Sequence, residues 1–161
     1  MSAIAEFILL PTSALQGLQE AAVPKRRLLG PPVDAYPEFL NRNGRRAVRY
    51  EWSGWVLGTL LAYLDQQHGI NLASSEFDEL VTFLNDKRGG AHFFLTAAQK
   101  KSYSVQLARE SFSEVTLRDY FNEFNAVEEP ASGRWMLDGV RCLHQALDVL
   151  DDGQVVMLEI C

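Results

Sequence analysis

The chain has 161 residues, 47% hydrophobic and 22% charged, which is the size and composition of one ordinary domain and argues against a disordered chain. Its net charge of −6 makes general nucleic-acid binding an unfavourable reading, because affinity for phosphate backbones comes from clustered cations. The longest uncharged apolar run, Trp52 to Leu64, falls short of the roughly 20 residues that span a bilayer, so no membrane span is expected.

The charge is unevenly spread. Residues 1–50 hold seven Lys/Arg against four Asp/Glu, and residues 110–161 hold three against eleven. The N-terminus carries Glu6 among its apolar residues and no basic leader, unlike a secretory signal. Only Cys142 and Cys161 are present, with no CxxC spacing, so a reducing, cytoplasmic setting is expected, with no disulfide framework or zinc site.

In chain order, the apolar run Ala3 to Leu10, stopped by Pro11, predicts a buried first strand. Thr12 or Ser13 can then cap a short helix with Leu15, Leu18 and Ala22 on one face, ended by Pro24. Residues 24–44 hold four prolines and read mostly as loop, with a short helix from Pro37 to Arg42. Alternation of Val48, Tyr50 and Trp52 with Arg49 and Glu51 predicts a strand over 46–52.

Ser53 is placed to cap a helix from Gly54 to His68 that Gly69 ends, and Trp55, Val56, Leu57, Leu60, Leu61, Tyr63 and Leu64 cover nearly its whole circumference. Such a helix belongs at the centre of the fold. Gly58 inside it reads as a site of close approach by another element, since glycine otherwise costs a helix about 1 kcal/mol against alanine. Ser75 and Asp78 have capping-box spacing before an amphipathic helix carrying Leu80, Val81 and Leu84, stopped by Gly89 and Gly90.

The stretch from Ala91 to Ala108 is ambiguous, with strand-like alternation at Tyr103, Val105 and Leu107. Thr96 and Gln99 have capping-box spacing, so a helix is assigned from Ala97 to Arg109. Thr116 and Asp119 repeat that spacing before a helix over Leu117 to Asn125. Met136, Val140, Leu143, Leu147 and Leu150 then mark the cleanest amphipathic helix, and QVVMLEI closes as a strand with Val155, Met157 and Glu159 on one side and Val156, Leu158 and Ile160 on the other. The expected fold is a single α+β domain, 1–161, helix-rich. Its small sheet joins the N-terminal strand, the C-terminal strand and the strand near 46–52, packed around the central apolar helix 54–68.

Chemistry-bearing residues are few. His68 reads as a helix C-terminal residue and His92 as a packing residue, while Cys142 and His144 point about 200° apart on one helix and form no local nucleophile pair. No G-x-S-x-G elbow and no glycine-rich phosphate loop occurs, so no catalytic residues, cofactor or metal are expected. Two clusters remain as candidate sites. Arg45, Arg46 and Arg49 with Tyr50, Trp52 and Trp55 could hold an anionic ligand against an aromatic wall, in company with Lys25, Arg26, Arg27 and Arg42. Asp138, Asp148, Asp151, Asp152, Glu123, Glu128 and Glu129 could form an acidic face that steers a basic protein partner. The leading expectation is therefore a non-catalytic interaction domain, such as an inhibitor or immunity-type protein for a basic toxin. A ligand-binding domain or enzyme with the arginine cluster is the alternative, and a homodimer through exposed parts of Trp52 to Leu64 is a third reading.

Overall fold

The computed structural model describes residues 3–109 and 112–161 of the chain. Strand β1 (Ala5–Pro11) is followed by a 3-10 turn, helix α1 (Leu15–Ala21), helix α2 (Tyr36–Asn43), strand β2 (Arg45–Val48) and helix α3 (Gly54–His68). Helix α4 (Asp78–Arg88), strand β3 (Ala91–Thr96), helices α5 (Ala97–Arg109), α6 (Glu114–Asn125) and α7 (Ser132–Asp148), and strand β4 (Gln154–Ile160) complete it. The fold is α+β, with a four-stranded antiparallel sheet in the order β2-β1-β4-β3. The two ends of the chain supply its middle strands, paired from Ala5 opposite Ile160 to Pro11 opposite Gln154.

Strand alternation sends side chains to opposite faces, and each face has its own core. Phe7, Leu9, Val156, Leu158, Ile160 and Leu95 pack with α3, α5, α6 and α7 on one side. Ile8, Leu10, Val155, Met157 and Phe94 pack with α1, α2 and α4 on the other. The alternation expected for β4 is the one observed. No described helix is long and apolar enough to cross a membrane.

Helix α3 begins and ends where expected, and Gly69 closes it in the left-handed region at φ 65°. It is not buried all round, however, because Trp55 is 65% exposed. Gly58 is also corrected: a Cβ built there meets nothing within 4 Å, whereas one at Gly139 on α7 would lie 2.8 Å from Leu60 Cδ2. The close approach belongs to the helix that packs on α3. Since Gly58→Ala adds a good helix former into open space, it is expected to raise stability by about 0.5–1 kcal/mol, readable in urea unfolding. An unchanged or lowered midpoint would mean that the space at Gly58 is filled.

Helix starts divide by whether a side chain reaches the free amides. Thr96 and Gln99 form a reciprocal box, Thr96 N–H donating to Gln99 Oε1 at 2.9 Å and Gln99 N–H to Thr96 Oγ1 at 3.2 Å. At α4 no side chain caps the start at Phe77, and the expected Ser75–Asp78 pair instead orders the turn before it, Ser75 N–H donating to Asp78 Oδ1 at 2.8 Å and Phe77 N–H to Ser75 Oγ at 3.2 Å. Ser53 makes no side-chain cap, α6 starts at Glu114 ahead of the expected Thr116 box, and Thr12 instead gives its hydroxyl to Gly153 O at 3.1 Å.

Two strand assignments change. The strand expected over 46–52 ends at Val48, because Tyr50 and Trp52 leave the sheet to bond α7. Ala91–Thr96, hidden in the ambiguous stretch, is the fourth strand β3.

Candidate functional site

The arginine cluster does not converge on one site. Ile8 lies opposite Arg46 in the β1–β2 pair, so Arg46 rises on the α2 side of the sheet. There, with Arg45, it lines a cleft of about 420 Å³ floored by Glu6, Ile8 and Glu159 and walled by Tyr36, Pro37, Leu40 and Asn41 of α2 and by Arg88 of α4. Arg49, past the end of β2, lines a different depression with Tyr50, Trp52, Arg134, Asp138 and Arg141. Arg42 pairs with Glu38 along α2, and Lys25 is bridged to Val33 at the base of an exposed loop that carries Leu28 and Leu29.

The expected aromatic wall is instead a set of tethers. Tyr50 is buried and donates its hydroxyl to Trp135 O at 2.9 Å, and burial pushes its phenol well above the ordinary range. Trp52 donates its indole N–H to Asp138 Oδ2 at 3.0 Å and stacks on Trp135 with centroids 5.8 Å apart. These bonds hold segment 49–53 against α7.

Cys142, 8% exposed on the same helix, donates to Arg49 O at 3.5 Å, and burial raises its thiol to about 11. The folded state thus favours the neutral thiol, so stability drawn from it is intact below the unfolded value of about 8.5 and falls as pH rises through about 11. At pH 8 a thiol reagent is expected to modify exposed Cys161 first and to reach Cys142 only on denaturation. Equal rates for both thiols in the native protein would contradict this burial.

Apart from Asp138, the acidic residues fall toward the two ends of α7, which at 17 residues is about 25 Å long. At its C-terminal end Asp148 accepts from Ser104 Oγ at 2.9 Å, Asp152 lies 3.7 Å from Lys101 Nζ, and Asp151 belongs to the turn into β4. Asp138, mid-helix, is occupied by Trp52 and by Arg141 at 2.8 Å. Glu123, Glu128 and Glu129 sit at the other end, where Glu129 Oε1 accepts the Ala131 N–H at 3.1 Å and Glu123 and Glu128 stay exposed.

A surface that sequence reasoning did not assemble joins Glu123 and Glu128 to α3. Tyr120 packs on Tyr63 with centroids 4.9 Å apart and donates to Gln66 at 2.9 Å, while Asn125 Nδ2 reaches Thr59 Oγ1 at 3.2 Å. These contacts run α6 antiparallel to α3 and bring its C-terminal end toward Trp55. Trp55 (65%), Phe124 (54%) and Val127 (46%) are all exposed there, with Tyr120 stacked on Phe124 and the exposed Glu123 and Glu128 next to Phe124 and Val127 in the chain. The available signal was Trp55 itself, since its neighbour Val56 turns into the core.

A second grouping crosses the sheet. Glu6, Glu159 and His92 occupy directly opposed positions on β1, β4 and β3. His92 is wholly buried; its backbone N–H and its Nδ1 both bond Asn85 Oδ1, at 2.9 and 2.8 Å, and its Nε2 lies 3.3 Å from Glu159 Oε1. Glu6 Oε1 meets Arg46 Nη2 at 3.3 Å. Arg88 lies over the Tyr36 ring at 4.4 Å and forks onto Asp34 at 3.0 and 2.9 Å, and that hydrogen-bonded pairing holds the Asp34 carboxyl below its usual range. Among the described residues no group of three or more His, Cys, Asp or Glu could hold a metal ion.

Compared with known proteins, the chain matches no family model, no curated protein and no solved structure.

Proposed function

We propose that the protein is a non-catalytic interaction domain that takes a basic protein partner on the aromatic surface of α3 and α6. An inhibitor or immunity-type role against a basic toxin is the specific form of this reading. The observation that supports it is the exposed cluster of Trp55, Phe124 and Val127 beside Glu123 and Glu128. Apolar aromatic anchors within a polar rim are the usual anatomy of a protein interface, and tryptophan and tyrosine carry a large share of binding energy at such sites. The rim selects the sign of the partner. The exposed carboxylates Glu123 and Glu128, which form no ion pair among the described residues, attract Lys/Arg-bearing surfaces and speed encounter at low salt. The acidic C-terminal end of α7 contributes less, because Lys100 and Lys101 are interleaved with Asp148 and Asp152.

The test is a photo-crosslinker placed at Trp55 in cells, with an equivalent one at Gln19 on the far layer as control. One basic protein captured at position 55 and absent at position 19 is expected. Trp55→Ala should then weaken that complex by about 30-fold or more without altering the fold, and Glu123→Lys with Glu128→Lys should slow association in a salt-dependent way. No capture above the control, or a complex indifferent to all three changes, would reject the proposal.

A further inference from the structure

We infer that the cleft between α2 and the sheet is a binding site for a small zwitterion of amino-acid or dipeptide type, its ammonium seated on Glu6 and Glu159 and its carboxylate on Arg46. This site lies on the opposite face of the sheet from α3 and does not depend on the protein-partner surface.

The sheet itself builds the cation seat. Glu6 and Glu159 are direct cross-strand partners on the face that floors the cleft, so their Cβ atoms stand about 5 Å apart. Like charges so placed oppose each other, and among the described residues each carboxylate is held by one hydrogen-bonding neighbour, Glu6 by Arg46 and Glu159 by His92. Among the described residues each keeps a second oxygen without a hydrogen bond. An ammonium has three donors and fits between two such acceptors.

Glu159 is held in place from behind. Asn85 Oδ1 accepts the His92 backbone N–H, which fixes the amide's orientation, so the contact of the same oxygen with Nδ1 requires a proton on Nδ1. Nε2 then faces Glu159 Oε1 at 3.3 Å, and the buried imidazole aligns the carboxylate as an outer residue aligns a ligand group. A row of surface charges would need no such support, since exposed pairs form without buried partners.

Arg46 supplies the anion seat. Its side chain is 63% exposed and spends one N–H on Glu6, which leaves donors in the fork geometry that suits a carboxylate. Arg88 is committed to Asp34 and Tyr36 and acts as wall. With about 420 Å³ to fill, the cleft falls at the small end of ligand sites, which limits the occupant to a compact molecule with both charges.

The test is a titration of the ¹⁵N-labelled full chain with glycylglycine, with N-acetylglycine and ethylamine as probes that each lack one charge. Saturable amide shifts along 5–8, 44–46 and 157–160 are expected, with glycylglycine bound about tenfold or more tighter than either half-probe. Glu159→Gln and Glu6→Gln should each weaken binding by about tenfold, and Lys101→Gln should not. Should one carboxylate variant misfold, the other decides. Absence of saturable shifts at those residues, half-probes that bind as well, or binding unchanged in both carboxylate variants would overturn the assignment.

Discussion

Gly133→Ala is expected to lower stability by about 3 kcal/mol, a fall in Tm of about 6–12 °C for a chain of this length. Gly133 is buried in the first turn of α7, and a Cβ built there would overlap the carbonyl oxygen of Glu114 and stand 3.1 Å from Arg118 Cβ. The obstacle is backbone. No rotamer change relieves it, so α6 and α7 must part. Parting them uncovers Leu117, wholly buried on α6, and disturbs Ser132, whose hydroxyl donates to Glu129 O at 2.8 Å at the same crossing. Intrinsic helix propensity acts the other way, favouring alanine by about 1 kcal/mol, so the measured loss understates the clash. Gly58→Ala is the matched control, with the same chemical change and the opposite expected sign. Thermal unfolding in which Gly133→Ala melts at or above the wild-type temperature would show that α6 does not press on this turn.

That pair of glycines shows what could be read in the chain and what could not. Helical glycines look alike in sequence, and the difference between Gly58 and Gly133 is set by which non-local element crosses them. Helices α3 and α7 were legible because their apolar spacing is local, while α5, whose apolar residues alternate like a strand, was legible only through the capping-box spacing of Thr96 with Gln99. Strand β3 was not, because Phe94 is buried under one layer of helices and Leu95 under the other, which removes the polar alternation that marks a half-buried strand.

The candidate sites follow the same division. Arg45, Arg46 and Arg49 are adjacent in sequence, yet the strand carries Arg46 to the cleft while Arg49, past its end, turns toward α7. Exposed carboxylates in the last third could be named from sequence, but their separation by the length of α7 could not. For the cleft the trace was slight: Glu6 and Glu159 are the charged residues inside otherwise apolar terminal strands. Only the β1–β4 register makes them neighbours, and only the β3–β4 register adds His92.

Removal of the Asn85 side chain is the second change expected to be severe. β3 is an edge strand, and the His92 N–H points away from β4 toward the carboxamide of Asn85, which also receives Nδ1–H. Asn85→Ala leaves both donors without an acceptor beside a wholly buried ring, at a cost of about 1–3 kcal/mol for each group and a total of about 2–4 kcal/mol, since Asn85 is half-buried and water can reach part of the gap. Asn85→Asp keeps an oxygen in place to accept both bonds, so it should retain most of the stability that alanine loses. Aspartate also keeps the volume of asparagine, so the stability contrast joins acceptor loss with packing loss, and the exposure of the His92 amide singles out the hydrogen bond. Denaturant midpoints in which aspartate and alanine are equally damaging would mean that an oxygen acceptor at this position is not what holds this edge. If instead aspartate is near wild type, amide exchange at His92 should be fast in the alanine variant alone, because only there does the edge N–H face solvent without a partner.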